Sequence, residues 1–200
     1  MAYTAPTTRS TGNLITATIW NTDVVDNIIY LNSKVNAQIQ IPAGAWLPAV
    51  TGGASSSSFE TTTNTRNYRT LDFSNSGGVL KAYFSLQMPS DYNGGTITYH
   101  VNWTCQDAST NSAYFGLTGI SHANGEALDS VSGTPQYVTD ANTGNEYLNI
   151  SDESSALTIY TTPAAGEVVD WLFWRDSGNV ADDLAATVRV LSVVLTYTRS

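Results

Sequence analysis

In the middle of the chain, apolar and polar residues alternate along two neighbouring segments, and this pattern constrains the fold more than any other. Leu80, Ala82, Phe84, Leu86 and Met88 share one parity, while Val79, Lys81, Tyr83, Ser85 and Gln87 share the other. Successive side chains of a strand point to opposite faces, so the first set is predicted to meet a core and the second solvent. Pro89 and the stretch Ser90-Asp91-Tyr92-Asn93-Gly94-Gly95 predict a turn. Beyond it the alternation resumes. Ile97, Tyr99, Val101, Trp103 and Cys105 are predicted to point inward, Thr96, Thr98, His100, Asn102 and Thr104 outward.

Near the end of the chain, Val169, Trp171 and Phe173 form one face, a loop carries Asp176-Ser177-Gly178-Asn179, and a last strand carries Leu191, Val193, Leu195 and Tyr197. Weaker strand signals lie at 45–50, 69–73, 113–120 and 156–161. About eight strands with connections rich in Gly, Asn and Asp suit two antiparallel sheets packed face to face. The expected fold is therefore mainly β: an antiparallel β-sandwich (jelly roll) preceded by an extended arm and one α-helix. The sequence shows no internal repeat, and 200 residues suffice for a single core.

Before the strands the period changes. Residues 1–15 are polar, rich in Thr and broken by Pro6 and Gly12, and read as an extended arm. Trp20, Val24, Ile28, Leu31 and Val35 then follow helical spacing, with Thr16 or Thr18 available as a cap and Asp23 in an early turn. Val25 and Ile29 widen the apolar arc. Such an arc either packs wholly on its own domain or meets a second subunit with part of its width. On the second reading Trp20, Val24, Val25, Ile28, Ile29, Leu31 and Val35 are the candidate assembly interface. The expected division is an arm and assembly helix over 1–35 and a sandwich over 36–200.

Charge narrows the function classes. Lys and Arg number 8 against 17 Asp and Glu, a formal net charge of −9. Two of the basic residues are Lys, and nothing resembles a basic patch that neutralises phosphates, so no nucleic-acid partner is expected. Charged residues are 12% of the chain, about half the usual share. Thr, Ser, Asn and Gly take their place, which suits hydroxyl-rich sheet surfaces and long loops. No apolar run approaches the roughly 18 residues of a membrane-spanning helix, so no membrane partner is expected. Cys105 is the single cysteine, which excludes an intrachain disulfide framework. The opening Met-Ala-Tyr-Thr-Ala-Pro lacks the basic and apolar regions of a Sec leader, so none is expected.

The reactive residues do not assemble into a motif. His100 and Cys105 are five apart on one predicted strand and fall on opposite faces, which separates them as metal ligands. His122 follows Ser121 directly, and a triad is defined by geometry rather than adjacency. Asp140-Ala-Asn142-Thr-Gly144-Asn-Glu146 has the alternating oxygens of a calcium loop's start but lacks the terminal bidentate Glu at the proper spacing, so a polar turn is expected. Asp182 and Asp183 are expected to be solvated. A carboxylate pair for glycoside hydrolysis is a matter of three-dimensional distance, and nothing in the sequence marks one. Asn102-Trp-Thr and Asn149-Ile-Ser match the glycosylation sequon. Trp103 and Trp171 fall in core registers, Trp46 and Trp174 are not placed by the pattern, and an exposed Trp or Tyr platform would stack on sugar rings. No catalytic residue, metal ligand or cofactor is assigned.

Three segments resemble a set of tailed-phage virion structural proteins. The opening Thr8-Arg9-Ser10-Thr11-Gly12-Asn13-Leu14-Ile15-Thr16-Ala17, running into Ile19-Trp20-Asn21-Thr22, is similar to their arm of form tG-x-lITas-x-WN. In that family the arm leads into a helix, here near Asp26-Asn27 and Tyr30-Leu31. Residues 79–88 with the Pro89 turn resemble their strand-and-turn, and 166–176 with 183–197 resemble their closing hairpin. Trp174 before Arg175-Asp176 departs from that pattern, and 121–155 is the part least covered. The resemblance implies a non-enzymatic jelly-roll protein on the exterior of a virion, often a homotrimer. Its partners would be itself and a major capsid protein or another virion protein. The expected function is an outer capsid decoration (cement) protein stabilising the head. The alternative is a tail or head fibre domain that binds host-surface glycan, which predicts an exposed aromatic cluster in 121–155 or 176–183. A free carbohydrate-binding or glycan-cleaving sandwich is the third possibility, and it would call for a secretion signal.

Overall fold

The computed structural model describes residue 5 and residues 14–32, 36–76 and 78–199. The helix begins where Thr16 caps it, its hydroxyl accepting the Ile19 N–H at 3.3 Å. It runs as α1 (Ala17–Trp20), a π-helical stretch over Asn21–Val25, and α2 (Asp26–Asn32). The π turn holds one more residue than an α turn, which suits the four-residue spacing of Trp20, Val24 and Ile28. Val35, the last residue of the predicted stripe, lies outside the described residues.

Among the described residues eleven strands follow: β1 (Asn36–Pro42), β2 (Leu47–Pro48), β3 (Ser55–Glu60), β4 (Asn67–Phe73), β5 (Val79–Gln87), β6 (Tyr92–Cys105), β7 (Ser112–His122), β8 (Gln136–Ala141), β9 (Asn149–Ile150), β10 (Val168–Asp176) and β11 (Val188–Arg199). They form two antiparallel sheets of jelly-roll type. The six-stranded sheet has the order β3-β4-β11-β6-β9, with β1 also on β11, and the five-stranded sheet has the order β2-β5-β10-β7-β8. The two alternating segments of the sequence become β5 and β6, yet they belong to different sheets, and the turn between them crosses the sandwich. Of their predicted inward faces, Ala82, Met88, Ile97, Tyr99, Val101, Trp103 and Cys105 are buried, while Leu80, Phe84 and Leu86 are half-buried against the core.

The core sits between the sheets and is centred on Phe173. That ring meets Phe73 edge-on at 5.5 Å, stacks on Phe115 at 5.7 Å and lies 5.4 Å from Trp46. Phe73 belongs to one sheet and Phe115 to the other, so this one residue joins both layers. Trp46, unplaced by the sequence pattern, is a core residue.

Three strand readings need correction. Leu191 does not share a face with Val193, Leu195 and Tyr197. A bulge lies between Val190 and Ser192 opposite β6, so the inward set is Val188 and Val190, then Val193, Leu195 and Tyr197. A bulge shifts side-chain parity by one residue, which no alternation rule anticipates. The same point is where β11 exchanges its neighbour, from β4 at Val188 to Val190 to β1 from Ser192 onward. Residues 156–161 are not a strand of their own but bridge to β7 and to the 134 region, Tyr160 N–H donating to the Gly119 carbonyl. The strands β1, β3, β8 and β9 had no clear signal in the sequence. β1 and β3 alternate between exposed and half-buried residues over most of their length, which gives a pattern reader little contrast.

Several carboxylates tie loops to strands and make stability depend on pH. Asp91 is held below its ordinary value of 3.8 by the Tyr197 hydroxyl and Arg199, and Asp107 by its bonds from Ser109. Glu146 is held below its ordinary 4.5 by the Thr62 hydroxyl and N–H and by Gln106. Burial pushes Glu153 up, but bonds from Thr98, Thr196 and His100 outweigh it and its net direction is down. Asp140 moves the other way, because burial outweighs the Trp103 donor. A depressed carboxylate stabilises the fold above its unfolded pKa, and that contribution is lost as pH falls through the folded value. Four lowered groups against one raised group predict a melting temperature that is flat near neutrality and falls as pH drops from 4.5 through 3.8 and below. A melting temperature that rises over that range in a pH series of thermal scans would contradict these assignments.

Candidate functional site

The first candidate is the helix. Trp20, Ile28, Ile29 and Leu31 remain 53%, 60%, 47% and 57% exposed, and Leu14 and Ile15 just before the helix are exposed as well. Val24 and Val25 are half-buried. Of the seven predicted interface residues, four are therefore in solvent, two are partly covered, and Val35 is not described. On a helix this short a row of such side chains is unusual for a surface left in water, since isolated apolar residues are common but contiguous ones mark contacts.

The second candidate is the outer face of the five-stranded sheet, assembled by register alone. Antiparallel pairing places Lys81, Trp174, Gly116 and Tyr137 in one row across β5, β10, β7 and β8. The next row holds Tyr83, Leu172 and Thr118, the next Ser85, Asp170 and Ile120, and the last Gln87, Val168 and His122. Gly116 is required there. A Cβ at that position would lie 2.3 Å from the Trp174 indole, which crosses the space a side chain would fill. Trp174 in turn meets Tyr137 edge-on at 5.8 Å, and Tyr137 stacks on Tyr114 at 5.0 Å with the rings nearly parallel. Tyr137 is 43% exposed, and Tyr83, at the opposite edge of the face, 44%.

At the other end lies a cleft of about 780 Å³, lined by Ser85, His122, Glu126, Leu128, Glu167 and Asp170 among others. Asp170 is its centre: Oδ1 accepts the Ser85 hydroxyl, and Oδ2 lies 3.2 Å from His122 Nε2. The His122 contact is close but badly angled, and Nε2 makes no hydrogen bond within the protein. Glu167 accepts from the Ser121 hydroxyl at 2.9 Å and from the Ala164 N–H at 2.9 Å. Ser121 and His122 are thus adjacent in sequence but engage different carboxylates, as neighbours on a strand must. The Ser85 hydroxyl donates to a carboxylate rather than to an imidazole, so Ser85 and His122 do not form a hydrogen-bonded hydroxyl–imidazole pair.

The remaining sequence candidates have structural partners. His100 lies 2.9 Å from Glu153 on the outer side of β6, while Cys105 is buried. In the 140–146 loop, Asp140 accepts the Trp103 indole N–H at 2.7 Å, Asn142 donates to the Asp107 and Ser109 carbonyls, and Glu146 accepts from Thr62 and Gln106. These oxygens and amides hold a loop together. Asp182 is not solvated as expected: it is buried and forms a bidentate ion pair with Arg175 at 2.7 and 2.8 Å, while Asp183 accepts the Ser112 N–H at 2.6 Å. No group of three or more His, Cys, Asp or Glu that could hold a metal occurs among the described residues.

No family model matches this chain, and no curated protein matches it. Solved structures give distant matches. The family 11 carbohydrate-binding module of Clostridium thermocellum, in complex with a β-1,3-1,4-mixed-linked tetrasaccharide, is similar with a TM-score of 0.43 at 13% identity, covering 84% of this chain and 99% of the module. The CBM22-1–GH10 modules of the endo-1,4-β-D-xylanase 10B of that organism, complexed with xylohexaose, give 0.40 at 16% identity, covering 83% of this chain and 28% of that one. The CBM36-1 domain of a multidomain xylanase from the hindgut metagenome of Trinervitermes trinervoides gives 0.38 at 10% identity, covering 82% of this chain and 99% of the domain. Each is a distant likeness of fold.

Proposed function

We propose that the protein is a non-enzymatic structural component of a tailed-phage particle, a capsid decoration protein that assembles through its N-terminal helix and presents the sandwich outward. The observation that carries this reading is the row of Trp20, Ile28, Ile29 and Leu31 left in solvent on a helix ahead of a complete sandwich. The arm-and-helix resemblance supplies the virion setting. Burying such a row against two copies of itself removes apolar surface at about 25 cal/mol per Å², and a symmetric lattice multiplies a weak contact into a firm one.

Light scattering tests it. The full chain is expected at three times its 21.4 kDa mass, and the double variant Trp20→Ser/Ile28→Ser at one chain mass with unchanged circular dichroism. A monomer for the full chain at about 100 μM would overturn assembly through the helix, since an obligate interface of this kind binds well below that concentration.

A further inference from the structure

We propose that the outer face of the five-stranded sheet is a binding groove for a neutral oligosaccharide. The inference goes beyond the assembly reading and does not depend on it, because the face lies on strands β5, β10, β7 and β8 and uses none of the helix.

Three observations carry it. The first is an exposed aromatic ring. Tyr83 on β5 is 44% exposed and lines the groove described next. It points away from a core that is already filled with aromatics, so core packing does not account for it. A pyranose ring has an apolar C–H face that stacks on such a ring. Tyr137 lies on β8, beyond the 128–135 segment that covers β7, and packs on Tyr114 and Trp174 outside the groove lining.

The second is the groove itself. The 780 Å³ cleft continues into a second of about 320 Å³ that reaches Tyr83 and Leu172, and the two share Ser85, Leu128 and Asp170. Their volumes lie in the range of sites that enclose small ligands. The third is the chemistry of the walls. Asp170 keeps lone pairs beyond those engaged by Ser85, and Ser130 and Ser132 add hydroxyls from the loop above. Carboxylates accept from sugar hydroxyl pairs. His122, 7% exposed, has an Nε2 at the floor without a hydrogen bond. Charge decides between neutral and acidic glycans. Asp170, Glu167 and Glu126 line the cleft, and among the described residues of the face Lys81 is the one fixed cation. An anionic chain would be repelled, as it would be by the protein's net charge of −9.

The test is a glycan array probed with the full chain, covering α- and β-linked oligomers of glucose, galactose, mannose, xylose, rhamnose and N-acetylhexosamine, with oligogalacturonate as the anionic control. Any hit is then titrated calorimetrically. Binding of at least one neutral oligomer is expected, with Tyr83→Ala weakening it about tenfold or more, while Tyr137→Ala and Tyr147→Ala, exposed tyrosines outside the groove, leave it unchanged. Asp170→Asn should weaken it without altering the melting profile of the chain. Absence of binding to every neutral oligomer at millimolar concentration would overturn the proposal, as would binding that Tyr83→Ala and Asp170→Asn both leave intact. Light scattering of the same variants separates this from the assembly reading. Unchanged native mass is expected, and dissociation of the oligomer by Tyr83→Ala would identify the groove as a contact between copies instead.

Discussion

Arg175→Ala is expected to lower the unfolding free energy by about 3–5 kcal/mol, the scale for leaving one partner of a buried ion pair alone. The guanidinium is 1% exposed, and all five of its N–H groups are used. Nε and one Nη2 hydrogen donate to the two oxygens of Asp182, the other Nη2 hydrogen to the Leu184 carbonyl, and Nη1 to the carbonyls of Phe73 and Ala186 at 3.1 and 2.7 Å. Asp182 also accepts the Tyr114 N–H at 3.0 Å. One side chain therefore closes the end of β4, the loop before β11 and the start of β7 onto the end of β10. Truncation leaves a buried carboxylate without its cation and three carbonyls without donors. Arg175→Lys keeps the charge but has three donors without the planar fork, so it is expected to lose about 2 kcal/mol. The double variant Arg175→Met/Asp182→Leu removes both charges and should recover part of the loss but not all, because the carbonyls stay unpaired. Guanidinium unfolding with an unchanged slope measures each value. A cost below about 1 kcal/mol for Arg175→Ala would mean that water or a shifted loop takes over these bonds.

Nothing in the sequence announced that clamp. Alternation assigns faces to residues on strands, and Arg175 sits at the end of a strand with the inward parity of Trp171 and Phe173, where a charge looks like an error of register. Its partner lies seven residues on, in a loop with no period at all. What periodicity did disclose was the core. The inward sets of β5, β6 and β10 were legible because each strand has one buried and one wetter face, and a period of two then fixes every side chain. β7 was harder to read: most of it is buried on both faces, covered on its outer side by the 128–135 segment, and so its alternation is lost.

The candidate sites divide in the same way. The helix row was visible as spacing, and the structure adds which of its members stay in solvent. For the sheet face the sequence carried part of the signal. Tyr83 shares the polar parity of Lys81, Ser85 and Gln87 and is an aromatic on a solvent face, whereas Trp174, not placed by the pattern, has the parity opposite to Trp171 and Phe173 yet is buried against Gly116 and Tyr137. Tyr137 does fall within 121–155, where the fibre alternative places an exposed aromatic cluster, but it lies on a strand rather than in a loop. What sequence reading could not supply was adjacency. Lys81, Trp174, Gly116 and Tyr137 come from four strands far apart in the chain, and only sheet order and register bring them into a row.

Trp103→Ala should cost about 3–5 kcal/mol, comparable to loss of the clamp but with a different origin and a different dependence on pH. The indole is fully buried, lies edge-on to Phe115 at 6.0 Å and donates its N–H to Asp140 at 2.7 Å. Its removal opens a cavity between the sheets and strips a part-buried carboxylate of a donor. Trp103→Phe separates the two effects, since it keeps most of the ring volume and loses the donor. Burial already raises the Asp140 pKa, and the Trp103 bond opposes that rise, so the phenylalanine variant should push it higher still. The sign follows from linkage. With a higher folded pKa, the variant gains proton-binding stability as pH falls, so its deficit against the parent protein should be largest near neutrality and should shrink as Asp140 is protonated. Chemical unfolding of both proteins at pH 7 and at pH 4 measures it. A deficit that is constant or grows toward acid would mean that the indole acts through packing alone and that the bond to Asp140 contributes nothing to the fold.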